Sequence, residues 1–214
     1  MKRILFYLLC FIIVSCDTTE IYIDVYDPVQ AALDSIEQRE DDIDLIYSYL
    51  QSKDINYVDT TNSGVFYSII DEGNNELFPE NNDLVSIHIT GYYTNDSIFF
   101  TNDSIDLVLF DTNIKSLAES IGYFDPDKYY SPIVYTYNGL GSFFPVVSDH
   151  GYLALLSDFK LTLGKALSKI SERGRIKILM PSANAYGTTG NTTSPEIPGD
   201  AILIFDIHLI QIRK

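Results

Sequence analysis

Residues 84–93 set the tightest limit on the fold. Val85, Ile87 and Ile89 alternate with Ser86, His88 and Thr90. A period of two puts the apolar set on one face and the polar set on the other, so the segment is a strand with one face in a core. A helix would scatter the same side chains around its circumference. Residues 65–70, 132–137, 175–180 and 201–212 also read as strands, and the first is stopped by the turn formers Asp71-Glu72-Gly73-Asn74-Asn75. The pentapeptide Thr-Asn-Asp-Ser-Ile occurs at 94–98 and again at 101–105, which predicts an extended hairpin over 97–110. Residues 114–121 suit a short helix, 139–151 a loop, and 153–170 a strand end running into a helix. No strand–helix–strand repeat and no phosphate-cradling glycine motif occurs. The pattern predicts an α+β fold, an antiparallel sheet wrapped around a short helix.

Two segments precede the strands. Met1-Lys2-Arg3 is basic, residues 4–14 form an apolar run, and Ser15-Cys16 closes it. This is the layout of an export signal over residues 1–15, too short for a spanning helix. The Ser15-Cys16 junction resembles the bacterial lipoprotein box, which would make Cys16 the lipid attachment and residues 16–27 a tether. An uncleaved anchor is the other reading. Asp27 and Pro28 then suit the start of a helix over 28–51. Its apolar stripe is Val29, Leu33, Ile36, Ile43, Tyr47 and Leu50, and Glu37, Glu40, Asp41, Asp42 and Asp44 cover the other faces. Such a helix packs on its own domain, stands as a solvated spacer, or pairs with a second copy in a homodimer. Residues 53–63 are polar, aperiodic and linker-like. The globular domain is expected over 64–212.

Charge and rare residues exclude several functions. Lys and Arg number 14 against 30 Asp and Glu, a net charge of −16. No nucleic-acid partner is expected, because nothing could neutralise a run of phosphates. The same charge repels anionic lipid, so any membrane association rests on the acyl chains of a lipid anchor. Cys10 and Cys16 are the only cysteines, so the body of the chain has no catalytic thiol and no disulfide. His88, His150 and His208 show no ligand spacing, so no metal site is expected.

The C-terminal third contains, in order, Pro181-Ser182, Ala185-Tyr186-Gly187, Ile197-Pro198 and Phe205-Asp206. Upstream lie Ser63-Gly64-Val65, Val85-Ser-Ile-His88-Ile89-Thr90-Gly91 and Phe110-Asp111-Thr112. This ordered set, over about 64–212, resembles the FKBP-type peptidyl-prolyl cis-trans isomerases. With the N-terminal signal and acidic helix, it is similar to their lipid-anchored members in Bacteroidetes. The resemblance implies that Tyr186 donates its hydroxyl to a substrate carbonyl and that Asp111 faces the reacting amide. It also implies that Phe110, Phe205 and Ile197 form pocket walls. Leu155-Leu156-Ser157-Asp158-Phe159 matches the segment before the family's central helix, which makes Phe159 the pocket floor beside Leu155 and Leu156. Leu163 is a rival for the floor, and Phe99-Phe100 is a rival for Phe110-Asp111. Ile89 stands in the wall where the family has Tyr, Asp158 where it has Gly, and Glu196 where the rim is apolar. Residues 103–155 read as a long insert. The implied function is isomerisation of proline-containing clients at the cell envelope, without a cofactor. The alternative is a catalytically degenerate chaperone or binding module on the same fold.

Overall fold

The computed structural model describes residues 27–95, 107–139 and 156–214. Helix α1 spans Pro28–Ser52 and is followed by strands β1 (Asp59–Thr60), β2 (Phe66–Asp71), β3 (Leu84–Thr94) and β4 (Leu107–Thr112). Helix α2 (Lys115–Ser120), β5 (Ile133–Thr136), α3 (Ser157–Leu167), β6 (Arg175–Met180) and β7 (Leu203–Arg213) complete the order. All strand pairs are antiparallel in one sheet of order β1-β2-β6-β7-β3-β4, with β5 on β3 as well. β4 takes the Thr90–Thr94 half of β3, and β5 takes the Leu84–Ile87 half. The stretches 107–112 and 133–136, inside the span read as an insert, are therefore strands of the main sheet. The expected hairpin over 97–110 lies outside the described residues except for 107–110.

The alternation of β3 divides the two sides of the sheet. Val85, Ile87 and Ile89 turn inward with Leu203, Phe205, Ile207 and Leu209 of β7, and all are buried. α3 closes this inner side with Phe159, Leu163, Ala166 and Leu167, which share one helical face. Full burial of a side chain such as Phe159 stabilises the fold by about 1.5–3 kcal/mol.

The outer side of the sheet receives α1. Asp27 caps this helix by accepting from the backbone N–H groups of Val29 at 2.9 Å and Gln30 at 3.4 Å. The buried face is Asp42, Ile46, Tyr49 and Leu50, and its apolar members pack on Phe66, Leu179, Ile202 and Ile204. This differs from the stripe expected from sequence: Tyr47 is 51% exposed and Asp42 only 2%. The cause is a polar anchor, described below, that rotates Asp42 toward the domain. Val29, Leu33 and Ile36 are uncovered along the first half of the helix.

The expected linker over 53–63 is partly structured. Asp59 and Thr60 pair with Tyr67 and Phe66 at the sheet edge. Asp59 accepts from Tyr67 Oη at 2.6 Å and from Lys169 Nζ at 2.9 Å, which ties this edge to the end of α3. These donors hold the Asp59 carboxyl well below the usual carboxylate range, the Tyr67 hydroxyl contributing most.

β4 departs from regular pairing at one point. Gly91 faces Asp111 and Tyr92 faces Leu109, so Phe110 is the extra residue of a bulge. Its ring lies flat over Gly91. A Cβ built on Gly91 would stand 2.5 Å from Phe110 Cζ. Glycine is required here by space. Gly91→Ala is expected to lower stability by about 1–3 kcal/mol, as overpacking does, read as a reduced urea midpoint. An unchanged midpoint would show that the ring yields freely.

Candidate active site

Phe110 from the bulge, Phe205 from β7 and Phe159 from α3 meet on the inner side of the sheet. Phe110 and Phe205 are edge-to-face at 5.9 Å, and Phe159 and Phe205 are tilted at 4.5 Å. Tyr93 stacks on Phe110 at 6.4 Å. Such pairs contribute about 0.5–1.5 kcal/mol beyond their burial. Ile89, Leu156 and Ile197 belong to the same core cluster, and Tyr186 packs against it. Both Phe159 and Leu163 are buried, but it is Phe159 whose ring meets Phe205. Leu155 and the alternative pair Phe99-Phe100 lie outside the described residues, as do Cys16 and His150.

Tyr186 stands between two short 3-10 turns, Ser182–Asn184 and Gly187–Thr189. The turn before it is held from two helices. Asp42 of α1 accepts from both the backbone N–H and the hydroxyl of Ser182 at 2.7 Å. Asp158 of α3 accepts from Asn184 Nδ2 at 3.0 Å, and the Ser63 carbonyl accepts from the same nitrogen at 3.1 Å. The loop beyond Tyr186 folds back on itself. Asn191 and Ile197 exchange both backbone hydrogen bonds, at 2.8 and 2.9 Å. Ile197 is thereby turned inward while Glu196 beside it stays exposed, which keeps that acid out of the apolar interior.

The Tyr186 hydroxyl is buried and has no hydrogen-bond partner among the described residues. An unmatched buried polar atom costs about 1–3 kcal/mol, so the fold does not place it there for stability. Burial pushes the phenol above its ordinary pKa. It stays protonated at neutral pH and is available only as a neutral donor or acceptor.

Asp111, next to Phe110, is 5% exposed and forms an ion pair with Lys128. Its neighbour Thr112 turns to the outer side and meets the Thr90 hydroxyl at 2.9 Å, so strand alternation directs Asp111 inward. Lys128 comes from the segment after α2. The same segment supplies Tyr123, whose hydroxyl donates to the Phe110 carbonyl. The charge of Asp111 is thus compensated within the protein. No metal cluster of three or more His, Cys, Asp or Glu occurs among the described residues.

Four residues of this arrangement carry no site role in the sequence reading. Lys128, Asp42 and Asn184 lie in no matched role, and Asp158 is noted there only as a replacement for glycine. Asn184 had a usable signal, since it lies between the matched Pro181-Ser182 and Ala185-Tyr186. Asp42 lies 140 positions from Ser182 and looks like one acid among many.

No protein-family model and no curated protein matches the chain. Solved structures with similarity include FkpA from Escherichia coli, 19% identical with a TM-score of 0.40, covering 86% of this chain and 68% of that one. A peptidyl-prolyl cis-trans isomerase from Pseudomonas syringae pv. tomato is 17% identical with a TM-score of 0.43, covering 88% and 98%. The N-terminal domain of FKBP42 from Arabidopsis thaliana is 16% identical with a TM-score of 0.44, covering 74% and 94%.

The Asp42 anchor has a pH signature. Burial raises its carboxyl above the ordinary 3.8, against the lowering effect of the bonds from Ser182 and Gln38. A raised folded value means that the unfolded chain releases this proton first. The contribution of Asp42 to stability is therefore fully present below pH 3.8 and is lost as pH rises through the folded value. The stability of the wild type relative to Asp42→Asn is expected to fall across that window and level off above it, measured by urea unfolding at a series of pH values. A relative stability that rises with pH would show the hydrogen bonds outweighing burial.

Proposed function

We propose that the protein is an FKBP-type peptidyl-prolyl cis-trans isomerase. The observation that carries this reading is the Tyr186 hydroxyl, buried without a partner among the described residues beside the Phe110–Phe205–Phe159 cluster. The ordered motifs that supply these same residues support it.

The reaction needs no nucleophile and no cofactor. Rotation about an Xaa–Pro bond breaks amide resonance, a barrier of about 18–20 kcal/mol. The catalyst must hold the twisted amide more tightly than the planar one. Twisting reduces conjugation between carbonyl and nitrogen, which makes the rotating amide less polar. Aromatic, water-poor surroundings favour that state. Tyr186 supplies a donor to a substrate carbonyl, and its tethered turn fixes where that donor stands. The aromatic cluster and Ile197 receive the proline ring. Asp111, already paired with Lys128, contributes a compensated dipole near the reacting amide.

The cellular setting extends the same proposal. Export by residues 1–15 and lipidation of Cys16 would hold the domain at the bacterial envelope, where proline-containing exported chains are its clients. Among the described residues no helix is long and apolar enough to cross a membrane. The uncovered Val29, Leu33 and Ile36 of α1 support pairing with a second copy along that helix.

A second reading is a binding module that grips proline segments without catalysis. Two observations favour it. The Asp111 carboxylate is neutralised by Lys128, and Ile89 brings no hydroxyl to the wall.

The test is the cis–trans exchange rate of Xaa-Pro peptides, followed by NMR exchange or protease coupling. The isomerase reading predicts acceleration by the wild type. It also predicts that Tyr186→Phe lowers kcat/KM by about 3- to 10-fold, the scale of one net hydrogen bond of 0.5–1.5 kcal/mol. Peptide binding without acceleration, unchanged in Tyr186→Phe, would establish the binding module instead.

A further inference from the structure

α1 covers only part of the outer side of the sheet. Also on that side, opposite the aromatic cluster, lies a cleft of about 280 Å³. Three residues of its lining form one row. Arg175 of β6 is the cross-strand partner of His208 on β7, and His208 is the partner of His88 on β3. Register partners project from the same face of a sheet, so the three side chains are neighbours. The lining also includes the apolar side chains of Ile70 on β2 and of Ile114 and Leu117 at α2. Ile70 is left 41% exposed. None of these residues belongs to the isomerase arrangement.

The positive charge of the cleft is that of Arg175, which forms no ion pair among the described residues. Asp206, the other charged residue of the lining, is paired with Lys177. The Asp71 carboxylate on β2 accepts from the Gly73 N–H at 2.9 Å. Burial, and after it the Arg175 charge, holds the His208 imidazole below its ordinary value, so that ring is neutral at pH 7. The tautomer of His88 follows from its neighbour. Asn113 Nδ2 donates to the Ile87 carbonyl at 3.2 Å, and Asn113 Oδ1 accepts from the Ile89 N–H at 2.9 Å. These two bonds fix which way the amide points. Its Oδ1 lies 3.1 Å from His88 Nδ1. An amide oxygen only accepts, so the imidazole proton is on Nδ1, and in the neutral ring Nε2 is an acceptor.

We propose that this cleft binds the end of a polypeptide chain whose last residue is apolar. Such a residue presents three groups at once, a carboxylate, an apolar side chain and a backbone N–H, and the lining has a counterpart for each. The Arg175 guanidinium takes the carboxylate, which its planar fork matches. Ile70, Ile114 and Leu117 receive the apolar side chain. His88 Nε2 accepts from the N–H. The net charge of −16 selects among anions. Every further negative charge on a ligand is repelled by the whole molecule, so one cation among apolar side chains suits a single carboxylate on an apolar body and not a phosphate or a polyanion. An acidic side chain within a peptide would bring the charge without the apolar group.

The experiment is a titration of the full chain with N-acetyl-alanyl-leucine, with its C-terminal amide and with isocaproate, followed by histidine ring NMR. None of these ligands contains proline, so the isomerase arrangement is not read. The free acid is expected to shift the ring signals of His88 and His208 saturably and ahead of His150, and the amide to leave them in place. Isocaproate, which has the carboxylate and the branched chain but no N–H, should bind more weakly than the dipeptide. Arg175→Gln is expected to weaken binding of the free acid about tenfold or more, as loss of a charge-assisted pair does. Equal binding of acid and amide, or first shifts at His150, would overturn the site. Isocaproate binding as tightly as the dipeptide would assign the cleft to small organic acids and overturn the chain end as its ligand. If Arg175→Gln fails to fold by circular dichroism, the comparison of acid with amide on the wild type decides alone.

Discussion

The contact on which the rest of this domain depends is the Phe110 ring lying over Gly91. β3 pairs with three strands, β7, β4 and β5, and it can accept an aromatic ring directly on its backbone only where it has no Cβ. The bulge that creates this contact places Phe110 against Phe205 and leaves Asp111 beside it. Phe205 in turn meets Phe159, so one missing side chain on β3 connects β4, β7 and α3 through a chain of rings. The ion pair of Asp111 with Lys128 and the bond from Tyr123 then fasten the segment after α2 to the same place.

A second constraint holds the opposite end of the cluster. The turn before Tyr186 has little regular structure of its own, and short turns on a surface are ordinarily the most mobile parts of a domain. Here two carboxylates from two helices on opposite sides of the sheet bind it, Asp42 at Ser182 and Asp158 at Asn184. α1 therefore does more than cover the outer side. Through Asp42 it reaches a residue four positions from Tyr186. The apolar part of the contact, with Ile46, Tyr49 and Leu50, lies beside that anchor. Positioning of a donor by surrounding groups is what differential binding of a twisted amide requires.

Much of this was legible in the sequence, for a simple reason. Alternation in β3 is a local property, and the structure keeps Val85, Ile87 and Ile89 on one side and Ser86, His88 and Thr90 on the other. Asp27 and Pro28 start α1 as their chemistry dictates. The phase of that helix was not legible, because Asp42 is buried by a bond to a residue 140 positions away. The strand character of Asp59 and Thr60 was hidden for a related reason. Their partners lie on β2, and polar side chains at a sheet edge leave no hydrophobic period. At the site, Phe110, Phe159, Phe205 and Ile197 were findable as members of ordered motifs. Lys128 was not, since a lysine that meets a carboxylate across a fold has no local signature.

The central claim is that the buried Tyr186 hydroxyl, unpartnered among the described residues, is the group that meets a proline-containing ligand. The most direct measurement is a titration of protein carrying ¹³C-labelled tyrosine with a saturating Xaa-Pro peptide, following each ring by NMR. The account predicts that the Tyr186 ring carbon bearing the hydroxyl shifts with peptide occupancy, together with Tyr93 beside Phe110, while Tyr49 on the buried face of α1 stays in place. Saturable binding that moves Tyr49 or Tyr92 and leaves Tyr186 unchanged would contradict it.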